Sequence, residues 1–313
     1  MAGIIRRVNF SDLTLEEALP VLKEVCTDTM MEFPLEYEGL YNIRDMDRGI
    51  VQYTQTSGIP AAPEVSEGEE FSLDAPVQGY DKTMTAIKVG VMIGITQEML
   101  DDNKYQDALD RAEQLGRSVR EAQKIHAARI LNNGFGTNGP DGVPLFSVSH
   151  PAPYPGAPAS SNRLAADADL SQTSLQDLIT VMRNTTDMSG KKVMIRPKSL
   201  VVPAELEFLA HELTQSEMKP QASTNNNQTE VNAVNAPRSR YGLQPIVMDY
   251  LTDDDAWFLF SDKPDHKIYW HWRKQPALKS WEEEKSEVQV MKISTRYIAD
   301  YADWRGVAGT TGA

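Results

Sequence analysis

The residues of this 313-residue chain that could do chemistry are few, and their spacing limits what they could do. There are five histidines. His211-Glu212 starts like a zinc-protease helix but lacks the second histidine one turn on. His126 falls in a long helical stretch and reads as a polar-face or interface histidine. His150 stands in a loop between Ser149 and Pro151. His266 and His271 accompany Trp270 and Trp272, where aromatic packing accounts for them. No two histidines have metal-ligand spacing, so no metal centre is expected. Cys26 is the only cysteine. That rules out an intrachain disulfide and a cysteine-based zinc site, and without a partnered base it reads as a small buried apolar residue. Asp253-Asp254-Asp255 lacks the alternate spacing of a calcium loop and reads as a solvated turn. There is no GxSxG elbow and no phosphate-binding Walker loop. The expectation is no catalytic site, no cofactor and no metal.

Charge excludes a further class. The chain carries a net −14, and no run of Lys and Arg interrupts the acidity. A module that grips nucleic acid through its phosphates needs such a run, so sequence-specific DNA binding is not expected. With 41% hydrophobic and 24% charged residues the composition is that of an ordinary folded protein. No apolar run approaches the ~20 residues of a membrane span, and the first residues lack the apolar region of a secretion signal. The chain reads as cytosolic.

The elements are more informative than the chemistry. Residues 12–31 predict a helix, with Thr14 and Glu17 in a capping-box pattern and Leu15, Leu19, Leu22 and Val25 at helical spacing. Ile50 to Thr56 is extended, with Val51 and Tyr53 on one face. Ser57 to Phe71 is then rich in turn formers and acids, with Glu64, Glu67 and Glu69 among them and few anchors for a core. From Thr83 to Ile95 the residues alternate with period two over about 13 positions, against a usual five or six. Thr83, Thr85, Ile87, Val89, Val91, Ile93 and Ile95 form one face. A two-stranded arm of this kind is marginal alone in water and needs a surface to lie on.

One long helix follows directly. Asp101-Asp102-Asn103 offers N-cap candidates, and Tyr105, Leu109, Ala112, Leu115, Val119, Ala122, Ile125 and Ile130 form a one-sided stripe. Asp107 with Arg111 and Glu113 with Arg117 are acid-to-base pairs one turn apart. Asn132-Asn133-Gly134 ends the helix. Roughly 30 residues at 1.5 Å each give a rod of about 45 Å. Beyond a Gly/Pro/Ser-rich loop (134–162), the pattern alternates: a helix at 174–187, a strand at 192–203 and a helix to about Gln215. After a polar loop (216–240), short strands follow at 245–250, 257–261 and 267–273. Glu282 to Glu287 reads as a solvated acidic linker, Glu287 to Tyr297 as a long strand, and the last residues as a mobile tail.

The order of these elements resembles the α+β major capsid fold of tailed phages. Three stretches carry the resemblance most specifically. Ile95-Thr-Gln-Glu-Met-Leu-Asp-Asp-Asn-Lys-Tyr105 is similar to the junction of extended loop and spine helix. Leu131-Asn-Asn-Gly-Phe135 with Pro140-Asp-Gly-Val-Pro-Leu-Phe-Ser-Val-Ser-His-Pro151 resembles the segment after that helix in Mu-like phage head subunits. Leu200-Val-Val-Pro203 with Tyr250-Leu-Thr-Asp-Asp-Asp-Ala-Trp257 resembles the axial domain of that group.

The resemblance implies an N-terminal arm (1–49), an extended β loop (50–96) and a peripheral domain (97–166) with its spine helix at about 103–133. It also implies an axial domain (167–285), a returning peripheral strand (286–300) and a C-terminal tail (301–313). It implies hexamers and pentamers closing into an icosahedral shell around double-stranded DNA, assembled in the host cytoplasm and found in the virion. Portal and decoration proteins are the other implied partners. With the loop starting near residue 50, no N-terminal scaffolding segment fits, so a separate scaffolding protein is expected. The loop would lie on a neighbouring subunit, which makes Tyr53, Glu64, Glu67, Glu69, Phe71, Lys82 and Lys88 the candidate intersubunit residues. Some relatives cross-link their loops through a lysine and an asparagine. Lys82 and Lys88 lie in the loop region, but nothing identifies a partner for either. Two other readings are an encapsulin-like cargo cage of the same fold and an acidic α/β hydrolase, which would need a defined pocket.

Overall fold

The computed structural model describes residues 15–57, 62, 64–68, 70–71, 78–96, 98–99, 102, 104–151, 159–187, 190–217, 235–283, 285–286 and 288–312. In chain order the helices are α1 (Leu15–Glu32), α2 (Glu36–Leu40), α3 (Tyr105–Asn132), α4 (Gln172–Arg183), α5 (Glu207–Gln215) and α6 (Ala236–Tyr241). The strands are β1 (Asn42–Asp45), β2 (Ile50–Thr56), β3 (Gln78–Thr85), β4 (Ile87–Thr96) and β5 (Pro197–Val202). They continue with β6 (Gln244–Val247), β7 (Trp257–Ser261), β8 (Lys267–Glu283), β9 (Val288–Asp303) and β10 (Val307–Thr310). Thr14 of the expected capping box lies outside the described residues, as do Asp101 and Asn103. The position before α3 is Lys104, which makes no side-chain cap.

A long sheet has the order β1-β8-β9-β4, built on the 17-residue β8 and 16-residue β9. The strand expected to end at Arg273 therefore runs on to Glu283, past register shifts between Trp272 and Ala277. The acidic stretch after it serves as the turn into β9 and not as a linker. One face of this sheet packs on α3. Met291 and Ile293 meet Ala108, Ala112, Leu115 and Val119 of α3 and Leu22 and Cys26 of α1. Farther along, Trp270 is stacked between Tyr37 at 4.0 Å and Tyr297 at 4.5 Å. Gly116 explains how α1 lies so close: a Cβ there would sit 2.6 Å from the Cys26 carbonyl oxygen. Burial pushes the Cys26 thiol up to about 11. The α3 stripe departs from the expected one at Ile125, which is exposed. The packed face moves to Ala127, Ala128 and Leu131, because 3.6 residues per turn carries a stripe around a helix this long. Arg111 donates to the Gly94 carbonyl at 3.1 Å, whereas Glu113 and Arg117 do pair, at 3.8 Å.

The second sheet has the order β10-β7-β5-β6. Its faces separate cleanly by alternation. Leu200, Val202, Trp257 and Leu259 pack with α4 and α5 residues such as Leu175, Leu178 and Leu213. Val201, Phe258 and Phe260 face the cluster shared with α3 and the long sheet. The expected mobile tail is not one. Residues 301–303 complete β9, Gly306 turns the chain at φ 88°, and Val307–Thr310 pairs with β7, fully buried. Asn162 holds it, donating from Nδ2 to the Val307 carbonyl at 3.2 Å and accepting the Gly309 N–H at its own carbonyl at 3.1 Å. At Gly309 a Cβ would meet Phe258 at 2.7 Å, so this strand fits only because it is small.

The uninterrupted alternation from Thr83 to Ile95 breaks in space at Ala86. β3 pairs with β2 as a separate hairpin, while β4 pairs with β9 along its whole length. The projecting arm is β2–β3 alone, and β4 belongs to the long sheet.

Candidate functional site

The hairpin is held at its base by its own chain. The Ala86 N–H donates to the Gly49 carbonyl at 2.9 Å, closing the two strands. Tyr53 lies flat on Tyr269, with centroids 4.7 Å apart and planes within 4°, and its hydroxyl is 3.0 Å from His271 Nε2. Gln55 donates to Asp303 at 2.9 Å. Lys82 pairs with Asp300 at 2.9 Å and sits over the Tyr301 ring at 4.8 Å. Burial, and after it the Arg44 guanidinium, holds His271 below the ordinary histidine range, so a neutral ring meets the Tyr53 hydroxyl. Burial raises the Tyr269 phenol. Along β8, Trp270 turns toward α3 while Tyr269 and His271 turn toward the hairpin. A single strand therefore both builds the core and seats the hairpin.

Of the seven candidate contact residues, Tyr53 and Lys82 are thus engaged within the chain. Lys88 is exposed on β4, opposite Arg296 of β9. Glu64 and Glu67 are exposed, and Phe71 is 87% exposed. Glu69 lies outside the described residues. Beyond its clamped base, then, the loop presents acids and one bare aromatic ring.

Sequence reasoning missed the residues that receive the hairpin: Tyr269, His271, Asp300 and Asp303. The alternation of aromatic and polar residues from Lys267 to Arg273 was the available signal. It also missed the role of His150. This side chain is 1% exposed and stacks on Trp304 at 3.9 Å. Its ring nitrogens meet Asp141 at 2.7 Å and Asn162 Oδ1 at 3.1 Å. The node ties the loop after α3 to the C-terminal strand and is structural. His126 meets the Tyr297 hydroxyl at 2.7 Å. Asp253, Asp254 and Asp255 are exposed, in a turn. Among the described residues no three His, Cys, Asp or Glu side chains gather to hold a metal ion. No described helix is long and apolar enough to cross a membrane.

Solved structures share this architecture. The procapsid of bacteriophage JBD30 matches with TM-score 0.51 and 14% identity over 96% of this chain and 77% of that one. The capsid of an empty GTA particle matches with TM-score 0.54 and 10% identity, covering 89% and 90%. A virus-like particle from Pyrococcus furiosus matches with TM-score 0.53 and 10% identity, covering 94% and 99%. At these identities the likeness is one of fold. No curated protein matches the chain. The family model described as phage capsid protein matches residues 79–309, nearly three quarters of the sequence. That span runs from the hairpin's return strand through α3 and both sheets to β10, and the chain belongs to the phage capsid protein family.

Proposed function

We propose that this capsid protein builds an icosahedral phage head from hexamers and pentamers of itself, enclosing double-stranded DNA. The observation that carries the reading is the β2–β3 hairpin. Its base is clamped by Tyr53 and Lys82, and among the described residues beyond it Glu64, Glu67, Glu70 and Phe71 are exposed. A two-stranded ribbon is marginal in water, so it finds its remaining stability on a neighbouring subunit. Residues 97–166 together with the returning strand 286–300 act as the peripheral part and residues 167–285 as the axial part around the capsomer centre. The pairing of β8 with β9 groups Lys267–Glu283 with the peripheral sheet. A separate scaffolding protein, a portal protein and a decoration protein complete the assembly, and the role is structural with no catalytic step. The Mu-like affiliation belongs to the same proposal and rests on the three stretches quoted above.

Negative-stain microscopy of the purified chain tests this. Capsomers, tubes or shells are expected, and a persistent compact monomer would overturn the reading. Replacing residues 58–77 by a short turn should leave a soluble, folded subunit that does not close shells. Normal particles from that variant would show that the loop does not assemble the shell.

A further inference from the structure

Where α4 and α6 meet the loop leading into β5, the chain forms a cleft of about 530 Å³ with cations on its walls and no carboxylate among its lining residues. Arg183 and Asn184 come from the end of α4, Lys192, Met194 and Arg196 from the loop, and Tyr241 from α6. The core beneath fixes the loop. The Val193 N–H donates to the Thr185 carbonyl at 3.0 Å, and Ile195, 2% exposed, packs in the cluster of Leu178 and Leu200. Burial alternates along this stretch, so Lys192, Met194 and Arg196 share its outer side. Arg183 has a structural reason to be cationic, because it stands at the negative end of a helix dipole. Lys192 and Arg196 have no such reason. All three are exposed, and among the described residues none forms an ion pair. In a chain of net charge −14, acids to pair with them are plentiful, yet none lines this cleft.

Hydrogen bonds inside the cleft set its polarity. Arg183 Nη1 donates to the Tyr241 hydroxyl oxygen at 3.2 Å, and Lys192 Nζ donates to Asn184 Oδ1 at 3.0 Å. Each bond occupies the acceptor of a neutral group and leaves its donor over: the Tyr241 O–H and the Asn184 Nδ2 amide. The carbonyls ending α4 are covered as well. The Asn184 N–H reaches those of Thr180 and Val181 at 3.1 Å, and the Thr185 N–H reaches that of Met182 at 3.4 Å. The cations and both neutral groups are thus left as donors.

We infer that this cleft binds linked phosphate groups. Phosphate oxygens are acceptors that match guanidinium and ammonium donors, and arginine takes them two bonds at a time. A water occupies about 30 Å³ of liquid, so the cleft has room for more than one phosphate. A free polyphosphate and a DNA backbone both offer that chemistry. The inference goes beyond the capsid reading and does not depend on it.

Calorimetric titration of the full-length chain with inorganic tripolyphosphate at physiological ionic strength tests this. Saturable binding is expected. Asn184→Asp keeps the acceptor for Lys192 and turns the free amide into a carboxylate oxygen; it should weaken binding about tenfold or more. Arg183→Gln, Lys192→Gln and Arg196→Gln together should abolish it. A matched variant, Lys88→Gln with Lys274→Gln and Lys279→Gln, removes three exposed cations from the open face of the long sheet instead. It should bind as the unaltered chain does, because salt screens distant charges. Circular dichroism checks that each variant is folded. A short DNA duplex displaced by tripolyphosphate would support the site and assign it to nucleic acid; tripolyphosphate binding without such competition would support it as a site for free polyphosphate. No saturable binding, or equal loss in both triple variants, would overturn the inference and leave the capsid reading standing.

Discussion

The two four-stranded sheets share a strand count and differ in what covers them. In β7 every residue is buried, with Trp257 and Leu259 facing one cluster and Phe258 and Phe260 the other. Folding supplies both covers. In the long sheet, α1 and α3 cover one face. The hairpin covers the other only at the Tyr269 end, leaving Lys88, Lys274, Lys279 and Arg296 in water. The β7 sheet is covered on both faces within one chain, whereas the long sheet is covered on one face and bears charges that repel one another on the other. Closed packing on both faces stabilises the β7 sheet, whereas the long sheet leaves part of one charged face in water.

The sharpest way to break this comparison is a pair of tryptophans on opposite faces of β8. Trp270 is 0% exposed between Tyr37 and Tyr297, so Trp270→Ala should cost the subunit about 3–5 kcal/mol in urea denaturation. Trp281→Ala, at 43% exposure, should cost less than about 1 kcal/mol. Equal losses would erase the distinction between the faces.

The junction of the sheets should be acid-sensitive. His266 is 1% exposed with its ring edge-on to Phe260 at 5.7 Å, and burial lowers its pKa from 6.5 to about 4. Between those values the unfolded chain binds more protons than the folded one. Stability is therefore complete above about pH 6.5 and falls, by at most about 3 kcal/mol from this residue, as pH drops to about 4. Burial lowers His126 and His271 in the same direction. Unfolding free energies measured across that range should show the slope, and His266→Gln should flatten it.

A milder effect sharpens the contrast within the closed sheet. Gly309→Val places a side chain against Phe258 and Phe146 and should cost about 1–3 kcal/mol, read as a lowered melting temperature. The smallest effect belongs to the half-open sheet. Tyr53→Ala removes one aromatic stack, about 1 kcal/mol. It should speed amide exchange in β2 and β3 while β8 and β9 stay protected. Exchange rising equally in all four strands would show that the hairpin is not a separable layer.

What was legible in the sequence was local. The one-sided apolar stripe placed α3 within two residues at its start and one at its end, and the strand expected at 257–261 is β7. The composition of Ser57 to Phe71 marked a segment without core anchors, and Glu64, Glu67 and Phe71 are exposed as that implies. Partner choice was not legible. Alternation from Thr83 to Ile95 is the same whether its halves pair with β2 or with β9, so the break at Ala86 left no mark on the pattern. Val307-Ala-Gly-Thr310 is too short and too small for any period to show. It is a strand only because Asn162 and Phe258, far away in sequence, shape a slot that nothing larger fits. The basic face is dispersed in the same way: Lys88, Lys274, Lys279, Lys292 and Arg296 form no run along the chain and meet only in the register of three strands. Helix and strand period are set by neighbours a few residues apart and can be read from order. Pairing, burial and charge rows depend on residues brought together from hundreds of positions away, and only the folded chain decides them.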